Sequence, residues 1–348
     1  MRSVGVFAAG RTELRRYAGS LAALGAVLLT AGLFGAWVAP SDDFLYLPND
    51  AKPVAANVAV DGRPDSGGEG GIYYVDVSVR PARWLEHVVP WLRPDGASLV
   101  AGERVTARGE SLEERQRKGV AEMNRSERVA AAVALREAGL RVTAIARGVL
   151  VESVAIDVPA AGVLEDGDVI VAAAGRETKT PAGLRAAIRP LVPGASVALR
   201  VRRDGRALVR TVATVESPVE PGRAMIGVRV GQDATIRLPV DVEIDLGDVG
   251  GPSAGLPFAL EVLKELGRDV DRGNRVAATG ELALDGTVLP VGGLKQKTLG
   301  ARAAGVDVLL VPAGENANEA LRYAGSLRVI PVESFQQALR ALRTLSRK

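Results

Sequence analysis

The chain has 348 residues, of which 24% are charged and 47% hydrophobic, enough for two or three domains built on ordinary cores. It holds no cysteine and a single histidine, His87, which excludes disulfides, Cys/His metal sites and cysteine nucleophiles, and leaves a Ser-His-Asp triad only His87 to recruit. The 44 Lys and Arg residues are dispersed among 41 Asp and Glu, the net charge is +3, and no basic block marks a nucleic-acid partner.

Residues 1–17 carry Arg11, Arg15 and Arg16, and residues 18–39 carry no charge. That stretch is long enough to cross a bilayer as a helix. Pro40, Ser41, Asp42 and Asp43 follow it, and Trp37 stands at an interfacial position. The charge asymmetry predicts a single-pass protein of the cell membrane, with residues 1–17 cytoplasmic and everything after Pro40 outside the cytoplasm. A cleaved signal peptide is the alternative. Against it stand the length of the apolar run and a Trp37-Val-Ala39 end that lacks the small residue wanted at its first position.

Residues 40–140 read as an α/β connecting region. Strands are expected at Val54–Val60 and Ile72–Val79, around a Gly-rich turn over 61–71. Short helices are expected at Arg83–Leu92 and Ser111–Lys118. A better one is expected at Asn124–Ala138, capped by Asn124 with Glu127 and stopped by Gly139. No chemistry is visible there.

Residues 141–216 run through a strand at Gly148–Val154, the string Gly167-Asp-Val-Ile170, a helix at Thr180–Leu191 and a strand at Ala198–Gly205. This succession resembles a bacterial PDZ domain. The resemblance implies a groove between the strand Gly148–Val151 and the helix, where an extended peptide is added as a strand. Gly148, Val149, Leu150 and Leu184 are the peptide-binding candidates, with backbone N–H groups near Arg147 to Val149 holding a terminal carboxylate.

After a Pro-containing joint at Ser217–Gly222, residues 217–348 alternate strands (Ala224–Val230, Val240–Asp245, Val276–Leu284, Val306–Val311) with helices (Ser253–Leu266, Leu294–Ala304, Ser334–Leu345), a mixed α/β unit. Three strings stand out: Gly250-Gly-Pro-Ser-Ala-Gly255, Thr279-Gly-Glu281 and Gly292-Gly-Leu-Lys-Gln-Lys297. Ser253 opens an apolar helix, ordinarily the place of a cap, but also one where free N–H groups and the helix dipole favour an oxyanion. Lys295 and Lys297 are two apart on a helix and so face different ways. Burial of one of them would lower its pKa and make it a base.

Taken together the strings resemble the proteolytic domain of the Lon proteases, a Ser/Lys family. By that resemblance Ser253 is the nucleophile, and Lys297, the second lysine of its string, is the base. Thr279 orients the lysine. Gly251, Pro252 and Ala254 form the turn and the oxyanion region. Two departures accompany it. Gly250 stands where the family places an acid three residues before the serine, with Asp248 nearby but not assigned that role. No Gly-x-x-x-x-Gly-Lys-[Ser/Thr] phosphate loop occurs anywhere, so no nucleotide is implied.

The whole layout resembles the membrane-anchored, PDZ-containing Lon-like proteases of bacteria (the YlbL type). The expected fold is therefore a multi-domain α+β chain: an N-terminal transmembrane helix, a small α/β region, a PDZ-like β domain and a C-terminal mixed α/β proteolytic domain. The expected function is ATP-independent serine endopeptidase activity at a membrane, without metal or cofactor. Its partners would be protein or peptide substrates and, by analogy with the ring-forming family, other copies in a homo-hexamer. The rivals are a membrane-anchored PDZ scaffold with an inactive protease-like domain, and a protease subunit served by a separate ATPase.

Overall fold

The structure, a computed structural model, describes residues 23–28, 30–32, 34–35, 37, 39–61, 63–64, 70–106, 110–155, 157–217, 220–247 and 249–348. The segment 1–17 lies outside the described residues, and so does part of the expected anchor over 18–39. The described part of that stretch, up to Trp37, is helical and exposes Leu24, Val27, Leu28 and Phe34. Among the described residues no helix is long and apolar enough to cross a membrane.

The chain divides into two compact units, Met1–Tyr46 with Val79–Gly102, and Leu47–Ser78 with Glu103–Lys348. In the smaller, the strand Pro40–Pro48 is flanked by Val77–Arg83 and by Ser98–Val100, the latter antiparallel with Phe44 opposite Val100. A short helix, Trp84–Val88, and a 3-10 turn, Pro90–Leu92, follow Val77–Arg83.

The larger unit holds two main sheets. One is five-stranded, in the order Lys52–Pro53, Gly71–Tyr74, Arg275–Ala278, Val308–Pro312, Arg328–Val332; the last four run parallel. The strand Val308–Pro312 is buried on both faces, which is why Val308-Leu-Leu-Val-Pro312 is a continuous apolar run. Alternation along each strand sorts the side chains. Ile72, Val276, Leu310 and Val332 join the core formed with the helices Leu112–Glu137, Gly255–Glu265 and Phe335–Arg343. Ala277, Leu309 and Val311 join the core formed with Leu294–Ala303 and Glu315–Tyr323. The helices of Ser253 and of Lys297 thus cover opposite faces of one sheet, and Thr279 stands at the carboxyl end of the strand between them.

The expected connecting region is not a connector. Gly71–Tyr74 pairs in parallel with Arg275–Ala278, Val58–Val60 pairs with Val242–Ile244, and the helix Leu112–Glu137 packs on Gly255–Glu265. Alternation within a strand reveals a buried face but not the partner strand. The two helices expected at 111–118 and 124–138 are one helix of 26 residues. Ser111 and Glu114 form a reciprocal capping box (3.1 and 2.8 Å), so Asn124 lies inside the helix and caps nothing. Gly119 is tolerated between them at about 1 kcal/mol, and Gly139 (φ +90°) closes the helix.

The other sheet is antiparallel in the order Arg206–Ala213, Ser196–Arg203, Val169–Ala173, Thr143–Val154, Val228–Arg237. The helix Pro181–Ile188, capped by the Thr180 hydroxyl accepting from Gly183 N–H (3.1 Å), covers it and buries Leu184, Ala187 and Ile188. The strand expected to open the protease domain at Ala224–Val230 is split: Ala224–Met225 pairs with Val215–Glu216, and Val228–Arg237 extends this sheet. The strand expected at Val276–Leu284 is broken at Gly280 (φ +153°) into Arg275–Ala278 and Glu281–Leu282.

Candidate active site

Gly251 adopts φ +92°, ψ 150°, a conformation natural to glycine, and turns the chain into the 3-10 turn Pro252–Ala254 that leads into Gly255–Glu265. Ser253, half-buried, sits on this turn. The Thr279-Gly-Glu string holds it from the other side. Gly280 N–H donates to the Ser253 carbonyl (2.8 Å), Thr279 Oγ1 donates to the same carbonyl (3.3 Å), and Leu256 N–H donates to the Gly280 carbonyl (2.9 Å). A Cβ at Gly255 would come within 3.0 Å of Leu282 N, so glycine is required for this docking.

The long helix holds the turn as well. Gly251 N–H donates to the Gly119 carbonyl (2.9 Å), and Ser126 Oγ donates to the Pro252 carbonyl (2.9 Å). This corrects one expectation for the oxyanion region. Gly251's N–H is spent on Gly119 and Pro252 has none, so the turn's remaining main-chain donors are those of Ser253 and Ala254. A Cβ on Gly250 would lie 3.1 Å from Gly119 Cα. The close crossing of helix and turn explains why no acid stands at this position. Asp248 is outside the described residues.

Lys297 lies in the helix Leu294–Ala303, which begins after Gly293 in the left-handed region (φ +73°). Its Nζ is buried and donates to Thr279 Oγ1 (3.0 Å). The Thr279 proton is used on the Ser253 carbonyl, so the hydroxyl must accept from the lysine. Thr279, fully buried, therefore touches both the serine's residue and the lysine's head. Burial lowers the Lys297 pKa to about 7, against a smaller opposing effect of the Asp76 carboxylate. Lys295, two residues earlier, instead extends over the Tyr323 ring at 5.7 Å.

Asp76 went unremarked in the sequence. It follows the strand Gly71–Tyr74, and its neighbour Val77 abuts Gly293, where a Cβ would lie 2.7 Å from the valine. Asp76 Oδ2 pairs with Lys52 Nζ at 3.4 Å, and its buried Oδ1 has no hydrogen-bond partner among the described residues. A carboxylate inside the strand expected at Ile72–Val79 was the only signal; the observed strand stops at Tyr74. Its place beside Lys297 depends on a pairing with residues far along the chain.

Glu281, next after Gly280, faces a small cavity behind the turn that is also lined by Glu122, Arg125, Glu152 and Gln232. Part of the residue reaches the surface, but its carboxyl lies deep among protein atoms. Burial first, and Glu152 second, push its pKa up to about 8. Arg125 pairs with Glu152 (2.9 Å), and Arg229 pairs with Glu122. These bonds link the antiparallel sheet to the long helix immediately behind Ser253.

The peptide-binding candidates are corrected. Val149 and Leu150 pair on one side with Ile170 and Val169, and on the other side Gly148, Val149 and Leu150 face Asp233, Gln232 and Gly231. The edge expected to take a peptide is already occupied by the chain's own strand Val228–Arg237. Gln232 Nε2 fastens that strand by donating to the carbonyls of Gly148 (3.0 Å) and Lys179 (2.7 Å), and Asp233 by pairing with Arg202 (2.8 Å). Leu184 is 3% exposed and belongs to the domain's core, against which Val228 and Val230 pack. The sequence signal for this was present: the alternation of Val228-Arg-Val-Gly-Gln-Asp-Ala-Thr-Ile236 marks a strand, though not its partner.

Two parts of the chain resemble known families. Residues 232–344 match the family described as Lon protease (S16) C-terminal proteolytic domain, and residues 137–214 match the PDZ domain family. Lon protease 1 of Myxococcus xanthus is 36% identical over 119 residues, covering 32% of this chain and 14% of that protein. Lon protease 1 of Sorangium cellulosum is 38% identical over 110 residues, 28% of this chain and 13% of that protein. The chain thus spans only about one seventh of the length of these relatives. Among solved structures, the PDZ domain of the SdrC-like protein from Listeria monocytogenes is 27% identical, covering 24% of this chain and 86% of that one, with a TM-score of 0.22. By sequence, the chain carries a Lon-type proteolytic domain with a PDZ domain ahead of it.

Proposed function

We propose that the chain is an ATP-independent serine endopeptidase of the membrane-anchored, PDZ-containing Lon-like type, with Ser253 and Lys297 as its dyad. The observation that carries this reading is the Lys297 ammonium site: buried, depressed to about 7, and bound to the same threonine that holds Ser253's carbonyl. Near neutral pH a large share of such a lysine is unprotonated. With one N–H given to Thr279, its lone pair is available to the serine hydroxyl.

Lys297 takes the Ser253 proton as the oxygen attacks a peptide carbonyl. The N–H groups of Ser253 and Ala254 face the developing oxyanion at the positive end of the helix. Lys297 then passes the proton to the leaving amine. Water, deprotonated by the same lysine, releases the acyl group. Without a motor to unfold them, substrates are flexible segments or unfolded proteins. The uncharged stretch 18–39, with Arg11, Arg15 and Arg16 before it, supports a tether that leaves the catalytic body outside the cytoplasm. The PDZ domain, its peptide edge filled from within, acts on the catalytic turn through the Glu152–Arg125 and Arg229–Glu122 pairs.

The test is degradation of an unstructured protein such as casein by the purified chain, together with labelling by a serine-directed covalent probe. Cleavage without ATP and labelling at Ser253 are expected. No labelling and no cleavage would leave a scaffold, and cleavage only with an added ATPase and ATP would make the chain a subunit.

A further inference from the structure

The short helix Trp84–Val88 and the turn Pro90–Leu92 of the smaller unit are built inside out. The acid of the helix points inward and is satisfied, while His87 stays half-exposed. Glu86, 2% exposed, accepts from Arg80 (2.9 and 2.6 Å) and from Arg83 N–H (2.9 Å). His87 Nδ1 lies 2.6 Å from Asp43, and Arg93 donates to the carbonyls of Glu86 and His87 (2.8 and 3.1 Å). Leu85 is half-buried, but three large apolar side chains face out: Trp91 is 84% exposed, Trp84 50% and Val88 52%. A soluble helix of this kind turns its apolar residues inward and leaves its acids in water.

The patch is also continuous with the end of the uncharged stretch 18–39. Trp84 N–H donates to the Ala39 carbonyl (2.8 Å), and the Arg83 guanidinium lies 4.6 Å from the ring of Trp37. These are all three tryptophans of the chain; the catalytic and PDZ domains have none. Tryptophan favours the headgroup level of a bilayer, where its ring is half in hydrocarbon and its N–H meets water.

We propose that Trp84, Val88 and Trp91 form a lipid-binding face that lies in the headgroup region of the bilayer, beside the point where the chain leaves it. The proposal rests on the membrane-tethered reading for how the unit reaches the lipid. The occupant is a phospholipid surface; a second copy or another protein is the competing outcome.

The test uses the full-length chain carrying Trp37→Phe, so that Trp84 and Trp91 are the only tryptophans, reconstituted into phosphatidylcholine/phosphatidylglycerol liposomes. The expected result is co-flotation with the liposomes, loss of most tryptophan emission when the lipids carry brominated acyl chains, and little quenching by aqueous iodide. The native chain, with Trp37 restored, should show the same pattern and guards against a folding defect in the variant. Flotation with strong iodide quenching and no bromine effect overturns the proposal while leaving the tether standing. Flotation with neither quencher effective also overturns it, in favour of a protein-covered face. Failure to float overturns both the face and the tether.

Discussion

Both main sheets of the larger unit are completed by a strand from outside the sequence segment that makes the rest, with opposite consequences. The sheet behind the dyad takes Gly71–Tyr74 from far upstream, and the loan brings a new group, Asp76, to Lys297. The antiparallel sheet takes Val228–Arg237 from downstream, and the loan removes a site by closing the edge at Gly148–Leu150. Strand pairing alone can therefore add a group to a site or close a binding edge. The difference lies in position. The first strand enters beside the sheet's central strand, with its carboxyl end at the chemistry, and the second enters at the edge where a ligand would add.

The largest effect expected is on the catalytic side. Ser253→Ala and Lys297→Ala should each lower peptide cleavage by about a thousandfold or more, and the double variant by little further, because members of a catalytic unit are strongly non-additive. Initial rates on a fluorogenic peptide, with circular dichroism to confirm the fold, measure this. Additive losses would break the dyad.

Next in size is the crossing that fixes the serine's turn. Gly250→Asp restores the acid of the family pattern but drives a side chain against the backbone of Gly119. It should cost about 1–3 kcal/mol in denaturant unfolding and lower activity as well. A variant as stable as the parent would show that the turn can move away from the long helix.

The closed edge is probed by Gln232→Ala, which deletes donors to the carbonyls of Gly148 and Lys179. A loss of about 1–2 kcal/mol is expected. Fluorescence anisotropy with C-terminal peptides should detect no binding to the parent chain. Parent binding would mean that the strand yields to ligand and would erase the contrast between the two sheets.

The smallest effect concerns Asp76. In the proposed mechanism Lys297 acts unprotonated, so the rate of the chemical step should rise with pH through about 7. The Asp76 carboxylate favours the ammonium; Asp76→Asn removes that support, lowers the lysine's pKa and moves the midpoint to lower pH. A few-fold gain in rate is expected on the acid side of neutrality. An unmoved midpoint would detach the borrowed strand from the chemistry.

How far the chain could be read follows from the range of each signal. Ser253, Thr279 and Lys297 were legible because glycines at 251, 255, 280 and 293 surround them with turns that only a small residue allows. The helix Pro181–Ile188 announced itself through Thr180 and Pro181. Asp76 and the pairing of Val228–Arg237 did not, because strand partners are chosen by contacts between distant residues. Asn124 misled for the opposite reason: it is a good cap locally, but a helix already nucleated at Ser111 runs through it.

The parallel pairing of Gly71–Tyr74 with Arg275–Ala278 also governs when the candidate site comes into being. About 200 residues separate the partners, and the outer strand Arg328–Val332 is added later still. Domains generally fold as units during synthesis, N-terminal parts first, but this sheet draws on both ends of the unit and is slow by topology. While the chain is emerging, the strand that carries Asp76 waits unpaired and Thr279 has no strand Val308–Pro312 to bond. Lys297 therefore has no buried site in which to lose its proton. The nascent chain is a long run of unfolded polypeptide, the substrate class proposed above. It is protected by an assembly order that makes the dyad one of the last features to form.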